Sequence, residues 1–206
     1  TVPQYYENVA SDTAKLLKRL DKEQVEGIAL DLRKNGGGIL PEAVALTGLF
    51  IPQGPVVQVQ NYAKQKKILE DEDPSTIYDG PLVVMVSQLS ASAAEITAAA
   101  LQDYQRAVIV GDQSTHGKGT VQTLMELNRF KGTPQQSGML KYTIQKFYRI
   151  AGGTTQKHGV TPDVILPSIY DYMELGEANL PRSLEPDIID AASYQSMDRV
   201  TPIIKT

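Results

Sequence analysis

The sequence predicts an α/β fold built on a mixed sheet. Three observations carry that reading. First, three nearly continuous apolar runs have strand length, Gly27-Ile-Ala-Leu-Asp-Leu32, Pro81-Leu-Val-Val-Met-Val86 and Ala107-Val-Ile-Val110. Such runs suit strands covered on both faces. Second, they alternate with stretches whose apolar residues recur at helical spacing, the order found in α/β proteins. Third, the later half is richer in strand-like segments than in helices, so a cleanly doubly wound sheet is not expected.

Taken in order, Val2-Pro3-Gln4-Tyr5-Tyr6 reads as an extended entry or an edge strand, because proline cannot donate to a ladder. Ser11 or Asp12 is placed to cap a helix carrying Ala14, Leu16, Leu17 and Leu20, with Lys15, Lys18, Arg19 and Asp21 as its solvated face. After the strand at 27–32, Asn35-Gly-Gly-Gly38 makes a turn whose glycines permit positive φ and close approach of a ligand. Pro41 at a helix start, with Ala43, Val44, Leu46, Leu49 and Phe50 at helical spacing, gives the next helix, which Pro52 and Gly54 end. Residues 56–59 form a short strand, and the polar stretch 61–79 a surface loop or an exposed hairpin. The helix over 91–104 follows the strand at 82–86, its alanines suited to close packing. Residues 120–127 and 140–150 alternate in part between apolar and polar side chains; both read as strands, the second half-buried, with a loop over 131–138 between them. Gly152-Gly153 turns the chain back, and 158–165 leads into an extended segment. The remainder is acidic and spaced by prolines, with a helix expected at 187–195.

At 206 residues the chain suits one domain or a domain with an appendage, and it can bury a sizeable core without disulfides. A formal charge of −4 argues against a nucleic-acid binder, which would show a basic patch. The absence of cysteine excludes a disulfide framework and a thiol nucleophile, and fits either the cytoplasm or the periplasm. Two histidines argue against a multi-histidine metal site. No apolar run reaches transmembrane length. The chain opens at Thr1 without a basic n-region, as a mature product or an excised fragment would.

The chemistry gathers in Leu89-Ser-Ala-Ser-Ala-Ala-Glu-Ile96, where a buried strand hands over to a helix. At such a junction a side-chain nucleophile and a backbone N–H are aimed at one substrate atom. Ser90 and Ser92 are both candidates there. Downstream, Gly117-Lys-Gly-Thr-Val-Gln122 sets Lys118 between two glycines after a buried strand. Among apolar walls a lysine ammonium is disfavoured and its pKa falls, so the neutral amine takes a serine proton at neutral pH. Gln122, four residues on, is the candidate to orient that amine. With the glycine-rich turn ending at Gly38, these stretches point to a serine–lysine hydrolase. Rival readings fit the residues less well. Between Gly111 and Gly117 five residues intervene where a phosphate loop needs four, and Gly119 rather than Ser or Thr follows the lysine. His116 or His158 with Glu95 or Asp103 would make a histidine triad, yet no Gly-x-Ser-x-Gly elbow is present. Glu95 and Asp103 read instead as a first-turn helix acid and a helix-end hydrogen-bonding group.

Five motifs occur in order: Asp31-Leu-Arg-x-Asn-Gly-Gly-Gly38, Ser90-Ala-Ser-Ala-Ala-Glu95, Leu101-Gln-Asp-Tyr-x-Arg-Ala107, Gly117-Lys-Gly-Thr-Val-Gln122 and Gly159-Val-Thr-Pro-Asp163. Together they resemble the carboxyl-terminal processing proteases. Gly48-Leu-Phe-Ile-Pro52 and Tyr142-Thr-Ile-Gln-Lys-Phe-Tyr148 look like the bacterial tail-specific branch of that family. The resemblance spans 2–167, with a weaker echo at 187–194. It implies an α/β, crotonase-like core and a serine endopeptidase that recognises the C-terminal tail of a protein and then cuts the chain. Position by position, Ser92 matches the nucleophile, Lys118 the general base and Gln122 the residue that positions the lysine. The backbone N–H groups of Gly38 and Ala93 match the oxyanion hole. Two departures stand out: Ala94 replaces the family's usual serine, and the segment between Glu95 and Lys118 is one residue longer, within 112–116.

The family's PDZ domain, which captures a C-terminal carboxylate by strand addition, has no counterpart before Asp31. The expected organisation is therefore a catalytic core over 1–167 and an extension with a short helix over 168–206. The implied partners are protein or peptide substrates with apolar C-terminal tails, and an adaptor protein. No nucleic acid, membrane span, metal or organic cofactor is implied, and the implied location is the periplasm or cell envelope of a Gram-negative bacterium. The alternative is a non-catalytic scaffold or substrate-holding domain of the same fold.

Overall fold

The computed structural model describes residues 8–129 and 137–200; the expected entry strand at 2–6 and most of the expected loop at 131–138 lie outside them. Among the described residues the strands, in chain order, are β1 (Ile28–Asp31), β2 (Gly54–Asn61), β3 (Lys66–Asp71), β4 (Leu82–Val86), β5 (Val108–Gly111), β6 (Thr120–Glu126), β7 (Met139–Tyr148) and β8 (Val164–Ile165). The α-helices are α1 (Val9–Lys22), α2 (Leu40–Gly48) and α3 (Ala93–Asp103). The fold is α/β, but its strands form two sheets rather than one mixed sheet. One is parallel in the order β1-β4-β5-β8, and the other is antiparallel in the order β3-β2-β7-β6.

Local chemistry explains most of the boundaries. α1 begins a turn earlier than Ser11 or Asp12 implied, because Asn8, in extended backbone, accepts a hydrogen bond from the Ser11 N–H at 2.7 Å. Asparagine is among the strongest N-caps. Pro41 lies in the first turn of α2 as expected. The polar stretch after β2 resolves as a hairpin, β3 pairing antiparallel with β2. Gly111 is required where β5 passes β4: a Cβ there would lie 1.9 Å from the Val86 carbonyl oxygen.

Three expectations are corrected. β1 is not covered on both faces; it forms the edge of its sheet, with Ala29 and Asp31 exposed. β7 is exposed on both faces over 139–144, where it pairs only with the edge strand β6, and becomes buried at Phe147 and Tyr148. The helix expected at 187–195 is absent. That stretch forms no regular element, its Ile189 and Ala192 N–H groups donating to the Gly152 and Ile150 carbonyls at 2.9 and 2.8 Å. Bonds to a neighbouring chain segment thus replace the bonds a helix would make to itself. Single turns of 3₁₀ helix occur instead at Ile169–Tyr172 and Glu177–Asn179.

The core lies where α2 and α3 pack against the sheets, with Phe50, Ile51, Val84, Leu101, Ile109 and Ile150 fully buried. Arg106 is buried among them, its guanidinium donating to the Phe50 and Tyr78 carbonyls at 2.8 and 2.9 Å and lying 5.9 Å from the Tyr78 ring centroid. Among the described residues no helix is long and apolar enough to cross a membrane.

Candidate active site

The loop between β4 and α3 carries both candidate serines, and their surroundings are opposite. Ser90 is fully buried; its hydroxyl donates to the Leu32 carbonyl at 2.7 Å and accepts from the Ser87 N–H at 2.9 Å. Both functions of that hydroxyl are spent, one on holding the loop to the end of β1 and the other on closing the loop on itself after β4. Ser92 is half-exposed and stands immediately before α3 at φ 58° and ψ −114°. A side chain rarely adopts such backbone; the conformation costs about 1–3 kcal/mol and persists only where the surroundings impose it.

Two neighbours impose it. Gly37, at φ +100°, presses against the same backbone: a Cβ there would lie 2.7 Å from the Ala91 carbonyl oxygen and 2.8 Å from the Ser92 Cβ. The turn is held by the Asn35 side chain, which accepts from the Gly37 N–H at 2.9 Å, and by the Asn35 carbonyl, which accepts from the Ala91 N–H at 3.0 Å. The second neighbour is Glu95, whose carboxylate accepts from the Ser92 N–H at 2.7 Å.

Glu95 does more than the first-turn helix acid read from its position. It is fully buried, and its two oxygens also accept from the Thr115 hydroxyl at 2.6 Å, the Gly117 N–H at 2.7 Å and the Lys118 N–H at 3.0 Å. One carboxylate therefore ties the Ser92 backbone to the Lys118 backbone. Burial pushes the carboxyl up to about 7, against the pull of these four donors. A serine three residues before a glutamate is a sequence signature of a helix start. The second half of this arrangement, 20 to 23 residues downstream, carries no local signal.

Lys118 lies in the crossover from β5 to β6. Both flanking glycines are needed for close packing: a Cβ on Gly117 would lie 2.9 Å from the Lys157 carbonyl carbon, and one on Gly119 2.7 Å from the Gln156 Cβ. Burial holds the Lys118 ammonium below the ordinary lysine pKa, and Lys141 nearby adds repulsion in the same direction, while Glu177 and Glu95 oppose it.

A cleft of about 410 Å³ brings these parts together. Ser92, Lys118, Gln122, Gly38 and Ala93 all line it, with Leu40, Ile96, Val121 and Phe147 among its apolar walls. Neither histidine lines it; the His116 ring faces Glu177 at 3.7 Å, and Asp103 is paired with Arg149 at 2.5 Å. Gln122 is exposed on β6, beside a register shift in its pairing with β7. Among the described residues, neither the Gly38 nor the Ala93 N–H donates a hydrogen bond within the chain. The space around Gly38 is open, with nothing within 4 Å of where a Cβ would stand.

A second cavity, of about 440 Å³, also reaches Gly38 and Ala93 and is lined by Leu32, Ala43, Leu46 and Thr97. A wider cleft of about 940 Å³, along Arg33, Ser87, Asp112 and Tyr170, contains none of the five candidate residues. No group of three or more His, Cys, Asp or Glu side chains among the described residues is placed to hold a metal ion.

Comparison with known proteins supplies a context for this geometry. Residues 1–166 match the sequence profile of peptidase family S41. The chain is 47% identical over 203 residues to a tail-specific protease of Haemophilus influenzae, covering 98% of this chain and 29% of that protein. It is 34% identical over 188 residues to a carboxy-terminal-processing protease of Bartonella bacilliformis, covering 86% of this chain and 42% of that protein. It thus spans less than half the length of either relative. Among solved structures, the photosystem II D1 C-terminal processing protease superposes with a TM-score of 0.67 at 31% identity, over 85% of this chain and 45% of that one. The fold is shared with mature CPAF complexed with lactacystin, TM-score 0.63 at 15% identity, over 78% of this chain and 43% of that one.

Proposed function

The chain belongs to peptidase family S41, and from that premise we propose that it is the catalytic core of a serine endopeptidase of the tail-specific type, working through Ser92 and Lys118. The observation that carries the proposal is the single cleft lined by Ser92, Lys118, Gln122, Gly38 and Ala93. In this reading the uncharged Lys118 amine accepts the Ser92 hydroxyl proton as Oγ bonds to the substrate carbonyl carbon. The carbonyl oxygen becomes an oxyanion held by the Gly38 and Ala93 N–H groups, which lack a partner within the described chain. The C–N bond then breaks as the Lys118 ammonium returns its proton to the leaving amine. A water molecule, deprotonated by the same amine, hydrolyses the ester, and the proton goes back to Ser92 Oγ. Gln122 orients the lysine. The apolar walls of the cleft support substrates with apolar residues at the cut, and the α/β architecture of two sheets with helices packed against them supports the crotonase-like reading of the fold.

Whole-protein properties belong to the same proposal: selection of substrates by an apolar C-terminal tail, help from an adaptor, and a place in the periplasm or cell envelope. The test is to incubate the chain with an unstructured protein ending in an apolar tail and identify the products by mass spectrometry. Ser92→Ala and Lys118→Ala are each expected to abolish cleavage while leaving the far-UV circular dichroism unchanged. Undiminished cleavage by either variant refutes the assignment. Binding without cleavage by the parent chain would favour the substrate-holding domain instead.

A further inference from the structure

Residues 176–185 add no strand to either sheet and no α-helix, yet they converge on the loop that carries Lys118. The contact runs by two routes. Directly, the Glu177 N–H donates to the His116 carbonyl at 2.7 Å, and the His116 N–H donates to the Ser90 carbonyl at 2.9 Å. Gly176, at φ +94°, allows this approach, since a Cβ there would lie 3.0 Å from the His116 oxygen. Indirectly, the link is Gln156, which is 1% exposed. Its Oε1 accepts from the Gly119 N–H at 2.8 Å, and its Nε2 donates to the Glu177 carboxylate and to the Leu184 carbonyl, both at 3.1 Å. The flanking residues reinforce the link. Thr155 donates its hydroxyl to the Lys118 carbonyl at 3.0 Å, the Lys157 N–H donates to the Gly117 carbonyl at 2.7 Å, and the Lys157 ammonium pairs with Glu185 at 2.5 Å.

We infer that Gln156 is a positioning residue for Lys118, and that the strap over 176–185 completes the lysine loop instead of merely covering the core; this rests on the reading of Lys118 as the general base. A loop with glycines on both sides of its lysine has little conformational preference of its own. Its geometry must come from bonds made to it. The group needed beside Gly119 must accept once and donate twice from one rigid plane, which an amide does and a carboxylate does not. The family profile ends at 166, while the alignment with the Haemophilus influenzae tail-specific protease takes in 98% of the chain, so the strap lies beyond the first and within the reach of the second.

The experiment uses the whole chain and three variants, Gln156→Glu, Glu177→Gln and the double exchange. The first sets two carboxylates against each other, and the double exchange lets the new amide at 177 donate to the new carboxylate at 156. Two readouts are taken: hydrogen exchange of the Gly119 amide against the Val84 and Ile109 amides, and the split of kcat from KM on a peptide substrate. Gln156→Glu keeps an acceptor for the Gly119 N–H but loses both Nε2 donations, and the displaced side chain is expected to speed Gly119 exchange about tenfold while the β4 and β5 amides hold, the scale of one hydrogen bond. A lysine misplaced by an ångström lowers kcat by about 10²-fold at unchanged KM. The double exchange restores the contact with residue 177 but leaves the Leu184 carbonyl without its donor, so it is expected to recover part of both losses.

If all three amides speed up together, Gln156 acts through global stability and the inference fails. If Gly119 loosens while kcat holds, the strap is structural only and the inference fails equally. Should Gln156→Glu not fold, Glu177→Ala, which leaves the Gly119 bond to Gln156 in place, is expected to give the same pattern at smaller amplitude, and an unchanged Gly119 amide and kcat in that variant overturns the inference. Failure of the base assignment itself is read separately, as turnover retained by Lys118→Ala whatever the Gly119 amide does.

Discussion

The Lys118 amine loses its proton below the ordinary lysine value of 10.5, burial being the main cause and Lys141 the next. Turnover is therefore expected to rise with pH through that lowered pKa, as the base becomes neutral. The linked effect on stability has a definite sign. Between the folded-state pKa and 10.5 the unfolded chain binds more protons than the folded one, so this group makes stability climb with pH across that window and costs stability below it. Lys118→Met is thus expected to melt above the parent at pH 7, the gap closing towards about pH 10, while turnover falls by about 10²–10⁴-fold. A variant that melts lower at pH 7 would contradict the buried-ammonium account. Glu95→Gln keeps the side-chain shape but turns an NH₂ group against two of the donors that the carboxylate now accepts. Each buried donor left unpaired costs about 1–3 kcal/mol, to be read from the urea midpoint; an unchanged midpoint would show that the bridge contributes nothing. At this scale residue types alone left Ser90 and Ser92 open, because the difference between them is the carbonyl of Leu32, a long-range partner. The resemblance chose Ser92, and the structure shows why the other hydroxyl is already occupied.

The glycine turn before α2 separates two requirements that the sequence runs together. Gly37 is at φ +100° and packed against the Ala91 carbonyl and the Ser92 Cβ, whereas Gly38 has open space around it. Gly37→Ala is expected to destabilise the chain by at least about 1–2 kcal/mol, the cost of left-handed backbone for a side chain, and to abolish turnover by displacing Ser92. Gly38→Ala is expected to leave stability within about 0.5 kcal/mol of the parent. Equal melting temperatures for the two variants would refute the distinction. Helices and strands were legible from apolar spacing, from Pro41 and from the alanines of α3. Exposure was not. The run at 27–32 looked doubly covered, and whether a strand lies at an edge depends on partners that its own residues do not encode. β7 looked half-buried, but alternation records only that two faces differ, not that a layer covers one of them.

For the whole molecule, the partition of strands between two sheets lay outside the sequence reading because pairing is set over long separations: Gln58 on β2 pairs with Tyr148 on β7. The lysine loop's dependence on Gln156 and Glu177 was hidden for the same reason. Arg106 is the long-range tie that the core most visibly uses, joining the end of α2 to Tyr78 through two carbonyls. Arg106→Met is expected to lower unfolding free energy by about 1–3 kcal/mol for each carbonyl left unpaired, measured by urea denaturation; no loss would mean that solvent replaces the guanidinium. One arrangement reaches further. Gly38 and Ser92 belong to the parallel half of the molecule, Gln122 and Lys141 to the antiparallel half, and among the described residues the two halves share no strand. The cleft is a seam. A tight inhibitor seated there would grip both jaws and act as a staple, raising the melting temperature with its concentration as RT ln(1 + [L]/Kd) requires. A thermal-shift screen therefore finds such molecules without any knowledge of the natural substrate.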